Sequence, residues 1–360
     1  MKRLLVLILL LLLPLCAAAD DRISYNNLIS FPRNAETLDF GDVRVTDWDA
    51  FPDFLRQFPN LKKVDMFSSP IVNWRANELH DAFPDVKFGW TLRITCVLDH
   101  HQHFVRTDAT AFSTLHGSKS REHNDTELAV LRYCTELRAL DIGHNGVSDL
   151  SFLYDLPELR VLIVAINHIS DLTPIASLKH LEYLEIFRNQ ITDLSPLSGL
   201  YSLKDLNIGY NMLTDISPLY SLGNLERLWL DRAAYYNYSE YGPDLPNEAE
   251  QVRLLREALP DTVIDCTSLH PTGGGWRKHP HYDAVFQTFK QGVYIPFEDS
   301  WPESGAPSPA PPRITPVPTP SPTPAPTATP APTETPADEG EPLITDETVF
   351  EELKKSFKFM

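Results

Sequence analysis

LRALDIGHNGVSDLSFLYDLPE (137–158), LRVLIVAINHISDLTPIASLKH (159–180), LEYLEIFRNQITDLSPLSGLYS (181–202) and LKDLNIGYNMLTDISPLYSLGN (203–224) align without a gap at a period of 22. A fifth unit opens at Leu225 as LERLWLDRAA and then departs. Self-similarity at a fixed period marks a stack of equivalent coils, each unable to bury its apolar face alone. The chemistry of each position is readable. Leu137 and Leu140, with Ile142 behind them, point inward from a short strand. Asn145, Asn167, Asn189 and Asn211 recur at one place, where a side-chain amide can bond the backbone of neighbouring coils. Stacked, they predict an asparagine ladder. Val147, Ile169, Ile191 and Leu213 form the next inward layer. The Asp-Leu-x-Pro-Leu run (Asp193, Leu194, Pro196, Leu197) then turns the chain, with Pro at the start of a short helical turn where its missing N–H costs little.

These units resemble internalin-type leucine-rich repeats, with the pattern L-x-x-L-x-L-x-x-N-x-I-x-D-L-x-P-L. The strict match covers residues 137–232. The resemblance implies an α/β solenoid. Its form is a leucine-rich-repeat horseshoe with short parallel strands on the concave face and short helical or 3-10 turns on the convex face. It also implies a protein-binding role.

Irregular units flank the regular ones. Leu38-Asp39-Phe40, Leu61 to Met66 and Val86 to Trp90 read as degenerate strands, and TLRITCVL (91–98) with HFVR (103–106) as a hairpin. Residues 20–136 are therefore expected to form an N-terminal set of irregular repeats, or cap, with a hairpin. Residues 233–301 are expected to form a C-terminal cap. In it Asn247 to Ala258 has helical spacing, and Trp276, Tyr282, Phe286 and Phe289 pack on the last coil.

The ends of the chain carry other signals. Lys2 and Arg3 precede an apolar run from Leu4 to Leu15, and Ala17-Ala18-Ala19 offers a cleavage site, so residues 1–19 read as a secretory signal. The alternative is a lipid on Cys16, disfavoured by the bulky Leu15 before it. The run is too short for a membrane span, and no transmembrane segment is expected in the mature chain. Residues 302–342 hold 15 of the 31 prolines and read as an extended, disordered linker. Residues 343–360 read as a short amphipathic tail. The expected location is secreted or cell-envelope associated.

Thirty-one Lys+Arg against 49 Asp+Glu give a formal charge of −18. Loss of Lys2 and Arg3 would make it more negative still. Nucleic acid repels such a surface, and no nucleic-acid partner is expected. Cys96, Cys134 and Cys266 would remain after cleavage. Cys134 occupies the position of Leu156, Leu178 and Leu200, as a small buried hydrophobe would. Asp99, His100, His101 and His103 cluster at the hairpin tip near Cys96, but histidines on one turn rarely converge on an ion, so no metal and no cofactor is expected. No G-x-S-x-G, H-E-x-x-H or phosphate loop is present, Gly273-Gly274-Gly275 included, and no catalytic residue is assigned.

Strand alternation identifies the concave face. It includes Asp141, Ile166, Asp205 and Asn207 besides a patch of aromatic, apolar and arginine residues. That patch is the candidate partner-binding site: Val161, Ile163, Tyr183, Glu185, Phe187, Arg188, Tyr210, Arg227, Trp229 and Arg232. Such residues dominate interface hot spots. A protein ligand is expected there, with a cell-wall glycan and a structural envelope role as the alternative. A flanking segment folded over this face is the competing reading of the same patch. On the binding reading, Ala at Tyr183, Phe187 and Trp229 abolishes binding and leaves circular dichroism unchanged.

Overall fold

The structure, a computed structural model, describes residues 21–96, 102–114, 123–230, 245–266 and 276–297. The signal, the linker, the tail, Cys16, Asp99, His100, His101, Arg232 and Gly273-Gly274-Gly275 lie outside the described residues.

Strands β1 (Arg22–Tyr25) and β2 (Ile29–Pro32) form an antiparallel hairpin. Its turn places Asn26 and Asn27 in the left-handed region, which Asn tolerates better than other side chains. Next come β3 (Thr37–Asp39), α1 (Phe51–Leu55), β4 (Lys63–Val72), α2 (Asn73–Ala82), β5 (Lys87–Thr95) and β6 (Gln102–Arg106). They make a sheet ordered β3-β4-β5-β6, parallel except for the β5–β6 hairpin. Tyr25, Phe40, Phe51 and Phe54 meet edge-to-face and by stacking beneath it, an arrangement that aromatic quadrupoles favour.

The repeats follow. Strand β7 (Ala111–Ser113) and helix α3 (Asp125–Leu128) lead into β8 (Ala139–Asp141), β9 (Val161–Ile163), β10 (Tyr183–Glu185), β11 (Asp205–Asn207) and β12 (Arg227–Trp229). Helix α4 (Glu248–Ala258) and β13 (Val263–Asp265) close the stack. Strands β7 to β13 form one seven-stranded parallel sheet in sequence order. Its register advances by the repeat, with Ala139, Val161, Tyr183, Asp205 and Arg227 side by side. The fold is the solenoid that the repeats imply: a ladder of three-residue strands on one side and 3-10 turns on the other.

The repeated residues account for this geometry. Leu140, Leu162, Leu184, Leu206 and Leu228 are at most 1% exposed. Asn167 donates from Nδ2 to the carbonyls of Ile142, one coil back, at 3.0 Å, and Val164, its own coil, at 3.1 Å. Its Oδ1 accepts from the N–H of Val147 at 3.0 Å. Asn189 and Asn211 repeat the arrangement. Each amide thus satisfies buried backbone groups that the turn leaves over. The recurrent aspartate has a local role. Asp149, Asp171, Asp193 and Asp215 each accept from the N–H two residues on, all at 2.8 Å, starting the 3-10 turns. Pro174, Pro196 and Pro218 sit at the first positions of those turns. Cys134 is fully buried in the layer of Leu156, Leu178 and Leu200, and burial pushes its thiol well above the usual range.

Candidate functional site: the concave face and the segment across it

The outward residues of the central strands do not face solvent. Val161, Tyr183, Glu185, Phe187, Tyr210, Arg227 and Trp229 are buried, and Ile163 and Arg188 are partly buried. Residues 276–297 cover much of this face. They comprise a 3-10 turn at Trp276–Lys278, helix α5 (Pro280–Gln291) and the run to Phe297. Trp276 packs on Arg227 and Trp229 of the last regular unit, as expected, but it also reaches back to Tyr183 and Glu185 two units earlier. Helix α4 and β13 end the stack, and Trp276 lies among side chains of β10 and β12. The physical reason is area. The outward face offers Tyr183 and Trp229 to an aromatic segment, together with a second apolar cluster shared with Trp276, Ala284, Val285 and Phe297.

Helix α5 forms where its sequence allows. His279 caps it, accepting from the N–H of His281, and Pro280 occupies its first turn. Gly292, at φ +68°, ends it in the left-handed conformation that costs glycine nothing. Ala284 and Val285 face the sheet, where Ala111 and Ala139 are small enough to admit a helix.

A polar network fixes the other end. Trp276 Nε1 donates to Tyr183 Oη and Glu185 Oε1, both at 2.8 Å, and Tyr183 Oη donates to Glu185. Arg227 donates from Nη1 to the Trp276 carbonyl at 3.0 Å, and its guanidinium lies 4.2 Å from the Trp276 ring centroid. Arg227 also pairs with Asp205 through Nε. Asp205 Oδ2 meets His281 Nδ1 at 2.5 Å, and the His281 ring stacks on Phe297 at 4.6 Å. At the far edge the Tyr294 N–H donates to Thr110 Oγ1 at 3.1 Å. A buried charge is tolerable when paired and hydrogen-bonded, and this network supplies a partner to each of Glu185, Asp205 and Arg227.

Burial shifts several protons. It raises Asp141 to about 6, against the N–H of Gly143 and the hydroxyl of Ser113, which favour the carboxylate. It raises Glu185 as well, against bonds from Tyr183 and Trp276. It lowers His279 to about 4, helped by the nearby Arg227 charge.

The structure brings Tyr183, Glu185, Arg227 and Trp229 of the candidate set together beneath Trp276. Arg232 lies outside the described residues. Sequence reasoning named Trp276 as a cap residue and a flanking segment over this face as the competing reading, but it did not name His281 and Phe297 as partners of these residues. The signal available was the apolar spacing of 280–297 combined with Ala111 and Ala139 at outward positions.

The repeats match a family profile described as leucine-rich repeats in two copies, over residues 157–199 and 179–221. No curated protein matches the chain in sequence. Among solved structures, the chain is similar to internalin C2 of Listeria monocytogenes. The identity is 23% and the TM-score 0.34, over 64% of this chain and 80% of that one. A second internalin of that organism, inlF, is 18% identical with a TM-score of 0.30, over 61% and 66%. The ectodomain of the Arabidopsis receptor kinase HAESA, solved with a peptide hormone ligand, is 18% identical with a TM-score of 0.28. There the chain spans 52% of its own length and 32% of the receptor's.

Proposed function

Starting from a leucine-rich-repeat solenoid whose concave face is largely covered, we propose that this chain is an exported, non-catalytic recognition module for a protein partner. The concave face is the recognition surface, and residues 276–297 hold it until a partner displaces them. The observation that carries this reading is the seating of those residues. A tryptophan, a short helix and a phenylalanine lie on Tyr183, Glu185, Asp205, Arg227 and Trp229 through aromatic contacts and directed hydrogen bonds. A surface that holds a helix with aromatic anchors in cis is suited to hold one in trans. The glycan alternative needs the same displacement, because Tyr183 and Trp229 are covered and offer no open face for a sugar ring.

Export rests on the sequence of residues 1–19. No helix among the described residues is long and apolar enough to cross a membrane.

The test is a capture experiment on extracts, with residues 20–360 as bait and mass-spectrometric readout. The wild type is compared with Trp276→Ala/His281→Ala, which removes two anchors of the covering segment. A protein enriched by the variant, and lost again when Tyr183 and Trp229 are also replaced by Ala, supports the reading. Equal capture by all three baits would place recognition elsewhere on the solenoid.

A further inference from the structure

Where the covering segment crosses β11, side chains able to ligate a metal meet. Asp205 opens β11 and has no exposure. His279 caps α5, and His281 lies in its first turn at 5% exposure. One carboxylate oxygen of Asp205 and one ring nitrogen from each histidine all lie within 4.8 Å of one another. The two imidazole centroids are 4.5 Å apart, and His281 Nδ1 stands 2.5 Å from Asp205 Oδ2.

We propose that Asp205, His279 and His281 bind one divalent transition-metal ion, Zn²⁺ above all, which two imidazoles and a carboxylate hold with water in the fourth position. Ligand atoms about 2.0–2.2 Å from an ion lie roughly 3–4 Å from one another in a tetrahedral site. The group therefore reaches ligand geometry by side-chain adjustment, the His281–Asp205 contact opening while His279 closes on the ion. The surroundings hold each ligand. Arg227 donates from Nε to Asp205 Oδ1, which leaves Oδ2 turned to His281. The His281 ring is fixed by its stacking on Phe297, and its Nε2 lies 3.9 Å from Glu226 Oε2. As the ion takes His281 Nδ1, the ring proton moves to Nε2, where the half-exposed Glu226 accepts it. A carboxylate behind a metal-bound imidazole orients the ring and raises its basicity. His279 is held by accepting the His281 N–H through Nδ1 at 3.2 Å, and it is only partly buried, so an ion has a way in from solvent. Asp205 belongs to the solenoid and both histidines to the covering segment. The ion thus ties the segment to the face, and metal binding opposes displacement by a partner. That consequence rests on the function proposed above; the ion site does not.

Calorimetric titration of Zn²⁺ into residues 20–360, stripped with chelator, tests the site, with Co²⁺ as the spectroscopic probe. The expected result is one equivalent of Co²⁺ with d–d bands, displaced by Zn²⁺, and no thiolate-to-cobalt charge-transfer band. The missing band separates this site from any that includes a cysteine. His279→Asn keeps a capping acceptor but removes one ligand. It should keep the wild-type circular dichroism spectrum and weaken Zn²⁺ binding by no less than the roughly 10- to 100-fold that an outer-shell change costs. Zn²⁺ should also slow amide hydrogen exchange in α5 of the wild type and leave it unchanged in His279→Asn. Wild-type protein that binds no Zn²⁺ below millimolar concentration, or His279→Asn that binds it as tightly, would overturn the site. Zn²⁺ bound through His279 with no slowing of α5 exchange would overturn the tie between segment and face. Zn²⁺ binding with no protein recovered in the capture experiment would sink the recognition reading and leave the ion site standing.

Discussion

At the residue scale, the repeat reads clearly because each recurring side chain answers a recurring backbone need. Asn189 serves three buried groups: it donates to the carbonyls of Val164 and Ile186 and accepts from the N–H of Ile169. An unsatisfied buried polar group costs about 1–3 kcal/mol, so Asn189→Ala should lower unfolding free energy by about 3 kcal/mol or more in denaturant titrations. A loss below about 1 kcal/mol would show that water replaces the amide. Asp141 gives a pH test. Its folded value of about 6 lies above the ordinary 3.8, so the folded state holds that proton more tightly than the unfolded chain. The stabilisation is full below the ordinary value and lost as pH rises through about 6, a swing of up to about 3 kcal/mol. His279 acts oppositely, since its value of about 4 lies below the ordinary 6.5. Its contribution is present above 6.5 and lost as pH falls towards 4. In Asp141→Asn only the histidine contribution of this pair remains, and stability relative to wild type should rise between pH 4 and 7. An unchanged difference across that range would contradict the assignment of a buried, proton-holding Asp141.

At the element scale, the solenoid was legible, while the covering segment was legible only as a competing reading, without its contacts. A 22-residue period fixes strand, turn and inward layer together, because each coil packs on a copy of itself. Alternation likewise assigns Tyr183 and Trp229 to the outward side of the strands. It says nothing of what lies on that side, since contacts such as Trp276 to Tyr183 join residues 93 positions apart. The expectation that Ala at Tyr183, Phe187 and Trp229 leaves circular dichroism unchanged therefore changes: these side chains are packed, and their removal should also lower the melting temperature. For the covering segment, Trp276→Ala/His281→Ala should speed amide hydrogen exchange in Pro280–Gln291 sharply. The ladder amides of Ile169 and Ile191 should keep their protection. Slowly exchanging α5 amides in the variant would mean that the segment is held chiefly by its apolar face.

At the scale of the whole molecule, the repeats build a surface and the same chain supplies something to sit on it. That arrangement makes recognition a competition: a partner must bind well enough to displace a tethered occupant, whose effective concentration is high. The Asp205, Arg227, His281 and Glu185, Tyr183, Trp276 groups set the strength of that competition. The direct measurement is calorimetric titration of a synthetic peptide spanning 276–297 into residues 20–360, as wild type and as Trp276→Ala/His281→Ala. The account predicts one-to-one binding to the variant and none to the wild type, whose concave face is already filled. A variant that keeps a native circular dichroism spectrum, exchanges its own segment freely and still fails to bind the peptide would contradict it.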